Sequence, residues 1–550
     1  MRALLLLPAI FWRHTRNMIR AWRHPRVDWV RLEVKGAMPE VSPRLKWWQR
    51  RLLGAQPQHS LMALRRQMQR VAADPRTRGI ILRIRNLNAG WATVQSIRDE
   101  ILRLRKAGKR VLAYVMGADE ETYYLACAAD EIVMPPSAMM LVMGLRAEVN
   151  YLKDALDKVG LAAEVVAVSP YKSAGEPFVR SNMSEENRAQ LERVMNVRYQ
   201  QLRQGMAEGR KKSVDDVEAL LRRMPMLASD AAKVGLVDAT LYEDELEEHL
   251  KEGERKPTIL EWNEAHSRLV LPPLRVHKKL VAVVPVVGTI MQGPTSGKRV
   301  PLPLGTGDQV GSDSVAQSLR QLERMDHVAA VVIHVDSRGG DAFASDLIWR
   351  EVLRLRAHKP VVVSMGNAAA SGGYYLAAPA SEIVAQPGTL TGSIGVIVVR
   401  PMARGLLDKL GVNTEVLTRG SRTGTFSATV PPNDDERAAL RDLVMASYAQ
   451  FRGRVMEGRK MAEEKLEPIS GGRVYTGEEA LGLGLVDRLG DLTEAVARAR
   501  NLAGLPDDPT APLLVIHNVG HTLLPPKPFP RTLKELLAPG VWALMPWDLR

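Results

Sequence analysis

The chain of 550 residues has one cysteine, Cys127. No intramolecular disulfide can form, and no zinc site can be built on cysteine pairs. Such a chain suits a reducing compartment and does not exclude an oxidising one. Cys127 lies in the run Tyr123-Tyr-Leu-Ala-Cys127-Ala-Ala129. That is the setting of a small buried hydrophobe, not of a catalytic thiol. Long apolar runs are also missing. Ala3 to Trp12 is apolar but ends at Arg13 and His14, whereas a spanning helix needs about 20 apolar residues. No small-residue cleavage site of a secretory signal follows. HExxH and GxxxxGK[ST] are absent, so neither a metal nor a nucleotide cofactor is expected. Zinc-finger spacing and an RNP-like strand are absent as well, so nucleic acid is not an expected partner. Histidine is scarce where it would matter, as shown below.

Positive charge is in excess: 76 Lys and Arg against 62 Asp and Glu, a net +14. Arg2, Arg13, Arg16, Arg20, Arg23, Arg26 and Arg31 carry much of it. Two readings stand. One is an amphipathic helix on a membrane surface, with Trp12 and Trp22 at the headgroups and arginines toward anionic lipid. Trp47-Trp48, between Lys46 and Arg50, would extend that contact. The other is a basic arm with no membrane role. The rest of the composition, 45% hydrophobic and 25% charged, is that of a folded chain, too long for one core.

The chain repeats itself. Gly79-Ile-Ile-Leu-Arg-Ile84 parallels Ala330-Val-Val-Ile-His-Val335, and Val34-Lys-Gly36 parallels Val286-Val-Gly288. Tyr123-Tyr-Leu-Ala126 recurs as Tyr374-Tyr-Leu-Ala377, and Asp130-Glu-Ile-Val133 as Ser381-Glu-Ile-Val384. Glu208-Gly-Arg-Lys211 recurs as Glu457-Gly-Arg-Lys460, and Gly235-Leu-Val-Asp238 as Gly484-Leu-Val-Asp487. Every pair is 249 to 252 residues apart, which marks a tandem duplication. Short β-branched runs (Ile80–Ile84, Val111–Val115, Val281–Val287, Val331–Val335, Val361–Val363) alternate with helical patterns (Ser60–Val71, Thr93–Lys106, Ser314–Met325, Ala344–Ala357). The alternation predicts an α/β fold with mainly parallel sheets and packed helices. Longer polar helices are expected near Ser184–Lys212 and Asp434–Lys460.

Chemistry is expected where the copies differ. The second copy has Asp336-Ser-Arg-Gly-Gly-Asp341 after a strand, where the first has Arg85-Asn-Leu-Asn-Ala-Gly90. Paired glycines let backbone N–H groups face a pocket, which is how an oxyanion hole is made; an ordinary strand-to-helix turn has the same look. The second copy also has Ala369-Ala-Ser-Gly-Gly-Tyr-Tyr375. Aligned on Tyr-Tyr, Ser371 meets Glu120 of the first copy, and the glycines meet Glu121 and Thr122. Conversely, Lys172 in Pro170-Tyr-Lys-Ser-Ala-Gly-Glu-Pro-Phe178 aligns with Thr423. The lysine survives in one copy and the serine in the other, so together they make one pair. A serine nucleophile needs a base, and no histidine occurs between Ser371 and His517. His334 reads as a core residue on a strand. Lysine can serve if burial brings its pKa from about 10.4 toward neutrality.

The chain so divides into a basic N-terminal segment (1–27), a first repeat that supplies the lysine (28–251), and a connector (252–279) with Pro257, Pro272 and Pro273. A second repeat that supplies the serine (280–505) and a proline-rich tail (506–550) follow. The tail is expected on the surface or bound to a partner; its end, with Val541-Trp542 and Trp547, is apolar enough to dock.

Three motifs closely resemble the signal peptide peptidase A (protease IV) family in its long, duplicated bacterial form, over residues from about 28 to 505. They are Tyr171–Phe178 with Asn182-Met-Ser184, Ser364-Met-Gly366 with Ala369–Tyr375, and Thr391-Gly-Ser-Ile-Gly395. The resemblance implies tandem Clp/crotonase-like domains and a Ser/Lys dyad. It makes Ser371 the nucleophile, Lys172 the general base and Ser393 the residue orienting the lysine, with Gly339 and Gly372 forming the oxyanion hole. It implies ATP-independent cleavage of residual signal peptides and other exposed hydrophobic peptides, by a homotetramer at the bacterial inner membrane. Two departures stand out. Arg338 replaces the proline usual before the paired glycines, and no adequate span replaces the family's membrane anchor. The second departure implies peripheral attachment, with a cytoplasmic location left open. Two rivals remain: a crotonase-like acyl-CoA enzyme, whose fold also uses Gly-bounded oxyanion holes, and a catalytically silent membrane-surface scaffold.

Overall fold

Strands rich in Val and Ile are buried on both faces when helices cover a parallel sheet, and these runs form the centres of two such sheets. The computed structural model describes residues 7–42, 59–272, 275, 277–295, 308–516 and 540–544. The Trp47-Trp48 pair with Lys46 and Arg50, Pro273, the prolines from Pro525 to Pro530, and Trp547 lie outside the described residues.

The chain forms two compact units. The first takes Met1–Arg146 and Val197–His277. Its sheet runs in the order Ala239–Thr240, Glu131–Met134, Arg110–Val115, Gly79–Leu87, Trp29–Gly36, Ile259–Glu261, and every pairing is parallel. Helix Leu61–Ala72 starts at Ser60, whose hydroxyl accepts the Ala63 N–H. Helix Trp91–Lys106 buries Val94, Ile97, Ile101 and Leu104, the spacing of one helical face. Helix Leu7–Arg23 is tied down by Asn17, which donates to Leu271 O and accepts from Leu271 N, both at 2.9 Å. Among the described residues, no helix is long and apolar enough to cross a membrane. Cys127 is buried, and burial pushes its thiol up to about 11.

The second unit takes Ala147–Asn196 and Lys278–Leu549. Its main sheet repeats the first: Arg488–Leu489, Glu382–Ala385, Val361–Ala370, Val328–Ser337, Leu280–Val287, Leu513–Val515, all parallel. Leu390–Gly392 and Val474–Thr476 extend it from the far end of Val361–Ala370. The repeated tetrapeptides make the same brace in both units. Tyr123 Oη donates to Leu236 O at 2.7 Å, as Tyr374 Oη does to Leu485 O at 2.9 Å. Asp238 accepts the Ile132 N–H and Asp487 the Ile383 N–H, both at 2.7 Å. Arg210 and Arg459 pair with these carboxylates at 2.7 and 2.6 Å.

A further sheet of the second unit runs Gln309–Gly311, Thr289–Met291, Gly339–Asp341, Gly540–Leu544, Ile397–Met402, Ala162–Ala167. Its last strand redraws the expected boundary. Residues 147–196 belong to the first copy in sequence, yet they pack with the second unit, because Ala162–Ala167 pairs antiparallel with Ile397–Met402. Glu164 faces Arg400 in that register, and the two join at 2.6 Å. The connector expected over 252–279 carries regular structure between residues 259 and 268. It gives the first sheet its edge strand Ile259–Glu261 and then helix Trp262–Arg268. The tail gives strand Leu513–Val515 to the second main sheet and Gly540–Leu544 to the third.

Candidate active site

Strand Val361–Ala370 ends at Ser371, which turns the chain into helix Gly372–Ala377. Ser371 has φ 54° and ψ −116°, a conformation that L-residues rarely adopt. Its N–H donates to Gly392 O, and its carbonyl accepts the Tyr375 N–H, each at 2.8 Å. The glycines that follow are required by close approach. A Cβ on Gly372 would lie 2.6 Å from Ser345 Oγ and 3.2 Å from Gly339 Cα, and one on Gly373 would lie 2.7 Å from Ser337 O. Their absence lets the serine turn lie against the Gly339–Asp341 strand.

The lysine arrives by the antiparallel pairing described above. Ala167 is opposite Ile397. Lys172 follows the one strand and Ser393 precedes the other, so both emerge at the same edge. Lys172 Nζ lies 2.6 Å from Ser371 Oγ, 2.9 Å from Ser393 Oγ and 2.9 Å from Ser393 O. Lys172 is 1% exposed, and Ser371 and Ser393 are fully buried. These three partners are hydroxyls and a carbonyl, and burial alone holds the amine well below the ordinary lysine value. The geometry fits a neutral amine. Lys172 Nζ donates to Ser371 Oγ, Ser393 Oγ and Ser393 O; once deprotonated it would keep the two bonds to Ser393 and offer its lone pair to the Ser371 hydroxyl.

The surroundings fix the lysine. Ser173 Oγ donates to Asn187 Oδ1 at 3.0 Å, and Asn187 Nδ2 donates to Glu176 Oε2 at 3.0 Å. Ser184 Oγ bonds the same carboxylate. Gln190 accepts the Val474 N–H at 2.6 Å and donates to Tyr171 O at 3.3 Å. The Arg473 guanidinium sits 3.9 Å from the centre of the Tyr171 ring. Gly472, with φ +93°, packs on the lysine stem; a Cβ there would lie 2.7 Å from Lys172 Cβ.

At the proposed oxyanion positions, Gly372 begins the helix, where backbone N–H groups have no intrahelical partner. Gly339 has φ 107°, and its N–H donates to Ser337 Oγ at 3.1 Å, so an incoming oxyanion competes with that hydroxyl. With Arg338 in place of proline, the turn still holds Gly340 opposite Ile290. His334 lies in the strand core with Nδ1 3.4 Å from Ser364 Oγ. Thr423, the counterpart of Lys172, is exposed, and Glu120, the counterpart of Ser371, accepts the Met143 and Gly144 N–H groups at 2.9 Å.

Sequence reasoning missed Asp336. It is half-buried, and its burial pushes its carboxyl up. It accepts the Ala368 N–H at 3.1 Å and the Asn367 side-chain N–H at 3.2 Å, bracing the segment that leads to Ser371. The signal was a carboxylate ending a buried strand just before the paired glycines.

Comparison with known proteins shows the family. The peptidase family S49 model matches twice, at residues 103–256 and 354–506. The chain is 34% identical over 455 residues to the chloroplastic serine protease SPPA of Arabidopsis thaliana, covering 81% of this chain and 66% of that one. It is 31% identical over 460 residues to Protease 4 of Haemophilus influenzae, covering 80% and 72%. A solved ClpP1 mutant from Listeria monocytogenes is similar at 13% identity and a TM-score of 0.25, over 39% of this chain and 94% of that chain. Two matched domains and relatives aligned along most of the sequence lead to one conclusion: the chain belongs to peptidase family S49 and is a serine peptidase.

Proposed function

We propose that Ser371 is the nucleophile and Lys172 the general base of this peptidase. The observation that carries the reading is a fully buried amine 2.6 Å from a serine hydroxyl at a strained turn. Neutral Lys172 takes the Ser371 proton as Oγ attacks the scissile carbonyl. Ser393 holds the amine through its hydroxyl and carbonyl. The oxyanion takes N–H groups from Gly372 and from Gly339, the latter released from Ser337. The C–N bond breaks, the ammonium of Lys172 protonates the leaving amine, and an acyl-serine remains. Lys172 then takes a proton from water, whose oxygen releases the acyl group and restores Ser371.

The substrates are extended, mostly apolar peptides, including cleaved signal peptides, and hydrolysis needs no ATP. That substrate range and a homotetrameric state come from the family resemblance. A membrane-surface location is supported by helix Leu7–Arg23. Asn17 and Arg20 bind the Leu269–Leu271 segment, while Phe11, Trp12, Met18, Ile19 and Trp22 are exposed beside Arg16 and Arg23. Exposed aromatics flanked by arginines suit an anionic bilayer surface. Sedimentation with phosphatidylglycerol vesicles tests this: Trp22→Ser should weaken co-sedimentation, and equal recovery of both proteins would rule the helix out.

Intact-mass measurement during turnover of a hydrophobic peptide tests the chemistry. An acyl adduct on Ser371, formed without ATP and absent from Ser371→Ala, is the expected result. Turnover of an acyl-CoA thioester without serine acylation would favour the crotonase-like rival.

A further inference from the structure

Tyr199 and Tyr448 stand at the repeat offset of 249 residues, each on a helix of 26 residues, Glu185–Arg210 and Asp434–Arg459. The two hydroxyls have different partners. Tyr199 Oη donates to Glu218 Oε2 at 2.8 Å. Tyr448 Oη donates to Ser470 Oγ at 2.8 Å and accepts the Gly471 N–H at 2.9 Å. Tyr448 and Ser470 are both buried, so neither bond is readily replaced by water.

The turn that Tyr448 holds backs the reacting groups. Gly472 packs on the Lys172 stem, where a Cβ would lie 2.7 Å from Lys172 Cβ and 2.9 Å from Cδ. The Gly472 N–H donates to Ile394 O at 2.8 Å, and the Ser393 N–H donates to Arg473 O at 2.6 Å. Gly471 O accepts the Ser169 hydroxyl, and Ser169 O accepts the Lys172 N–H at 3.1 Å. Residues 471–473 therefore bind the chain around Lys172 and the chain around Ser393 at once. Ser393 has φ 51°, a conformation that persists only where its surroundings over-determine it. The Tyr448 ring serves the same two segments. It clusters with Val396 and Val398, which follow Ser393, and Val166 and Val168, which precede Lys172, pack against that cluster.

We propose that the Tyr448 hydroxyl is a positioning group for peptide hydrolysis. It fixes the 470–473 turn, and the turn fixes Lys172 Nζ between Ser393 and Ser371. It acts through Ser470 and Gly471, not on the reacting atoms. The inference rests on Lys172 being the base. The first unit shows what the repeat needs without that task. Glu120 stands there in place of the serine, and Tyr199 keeps its ring against the core while its hydroxyl goes to a carboxylate. Packing of the repeat thus requires the ring and not the bonds to the turn.

Tyr448→Phe removes one oxygen and leaves the ring. For a hydrophobic peptide, kcat should fall about 10-fold through misplacement of the amine, with KM unchanged because no group facing the substrate is altered. The acidic limb of kcat/KM should move to higher pH, because the burial that holds the Lys172 amine low is relaxed. Ser470→Ala, which removes the acceptor of Tyr448 Oη, should act in the same direction and serves if Tyr448→Phe does not fold. Tyr123→Phe, which deletes a buried hydroxyl of the first unit, is the stability control and should leave kcat and the limb at parental values whatever its Tm. Parental kcat with an unmoved limb in the folded variants, or a fall in kcat matched by Tyr123→Phe, would overturn the inference. Fluorophosphonate labelling of Ser371 in Lys172→Met reads the base separately. A label at the parental rate there removes the base assignment, whereas a lost label with a parental Tyr448→Phe removes the positioning role alone.

Discussion

Lys172 Nζ stands 2.6 Å from Ser371 Oγ across 199 residues of sequence. The pairing of Ala162–Ala167 with Ile397–Met402 closes that distance, so the site is a consequence of an arm leaving its own repeat. The consequences can be tested one at a time.

The pH–rate profile should rise through the ionisation of Lys172. Its amine is held well below 10.5 by burial, so the active neutral form is reached at lower pH than for a free lysine. Activity falls as pH drops through that folded-state pKa. A kcat/KM profile that rises only near pH 10 would contradict the assignment.

Lys172→Met should abolish turnover and raise Tm at neutral pH. The folded-state pKa is depressed, so between it and the unfolded value of about 10.4 the unfolded chain binds the extra proton, and parent stability rises with pH. The Tm advantage of the variant should therefore shrink as pH climbs toward 10. Thermal melts of both proteins across pH read this directly.

Gly472→Ala should lower kcat about 100-fold while removing no polar group. Its Cβ would lie 2.7 Å from Lys172 Cβ at a φ of +93°, and a displacement near 1 Å at a reacting group costs about that factor. A variant with parental kcat would show that the lysine has room to spare.

Glu164→Ala should destabilise the chain by about 3–5 kcal/mol, because Arg400 stays buried without its carboxylate. Glu164→Ala with Arg400→Met should recover much of the loss. Urea denaturation of the single and double variants measures the coupling.

Much of the fold was legible because parallel strands buried on both faces read as apolar runs, and because both copies kept Tyr123/Tyr374 and Asp238/Asp487 for one brace. The proximity of Lys172 and Ser371 was legible because each copy kept only one of the two residues. The arm exchange was not. Residues 162–167 have the same composition whether they pair at home or away, and only the register with 397–402 decides. Ile259–Glu261 was hidden by nearby prolines and by its length of three residues. Asp336 was hidden because a carboxylate after a strand is ordinary until its burial is known.

The most direct test of the central claim is fluorophosphonate labelling with peptide mapping on the parent, Ser371→Ala and Lys172→Met. The arrangement predicts one label, on Ser371, lost in both variants. A label that stays on Ser371 in Lys172→Met at the parental rate would contradict it, and would mean that another group takes the serine proton.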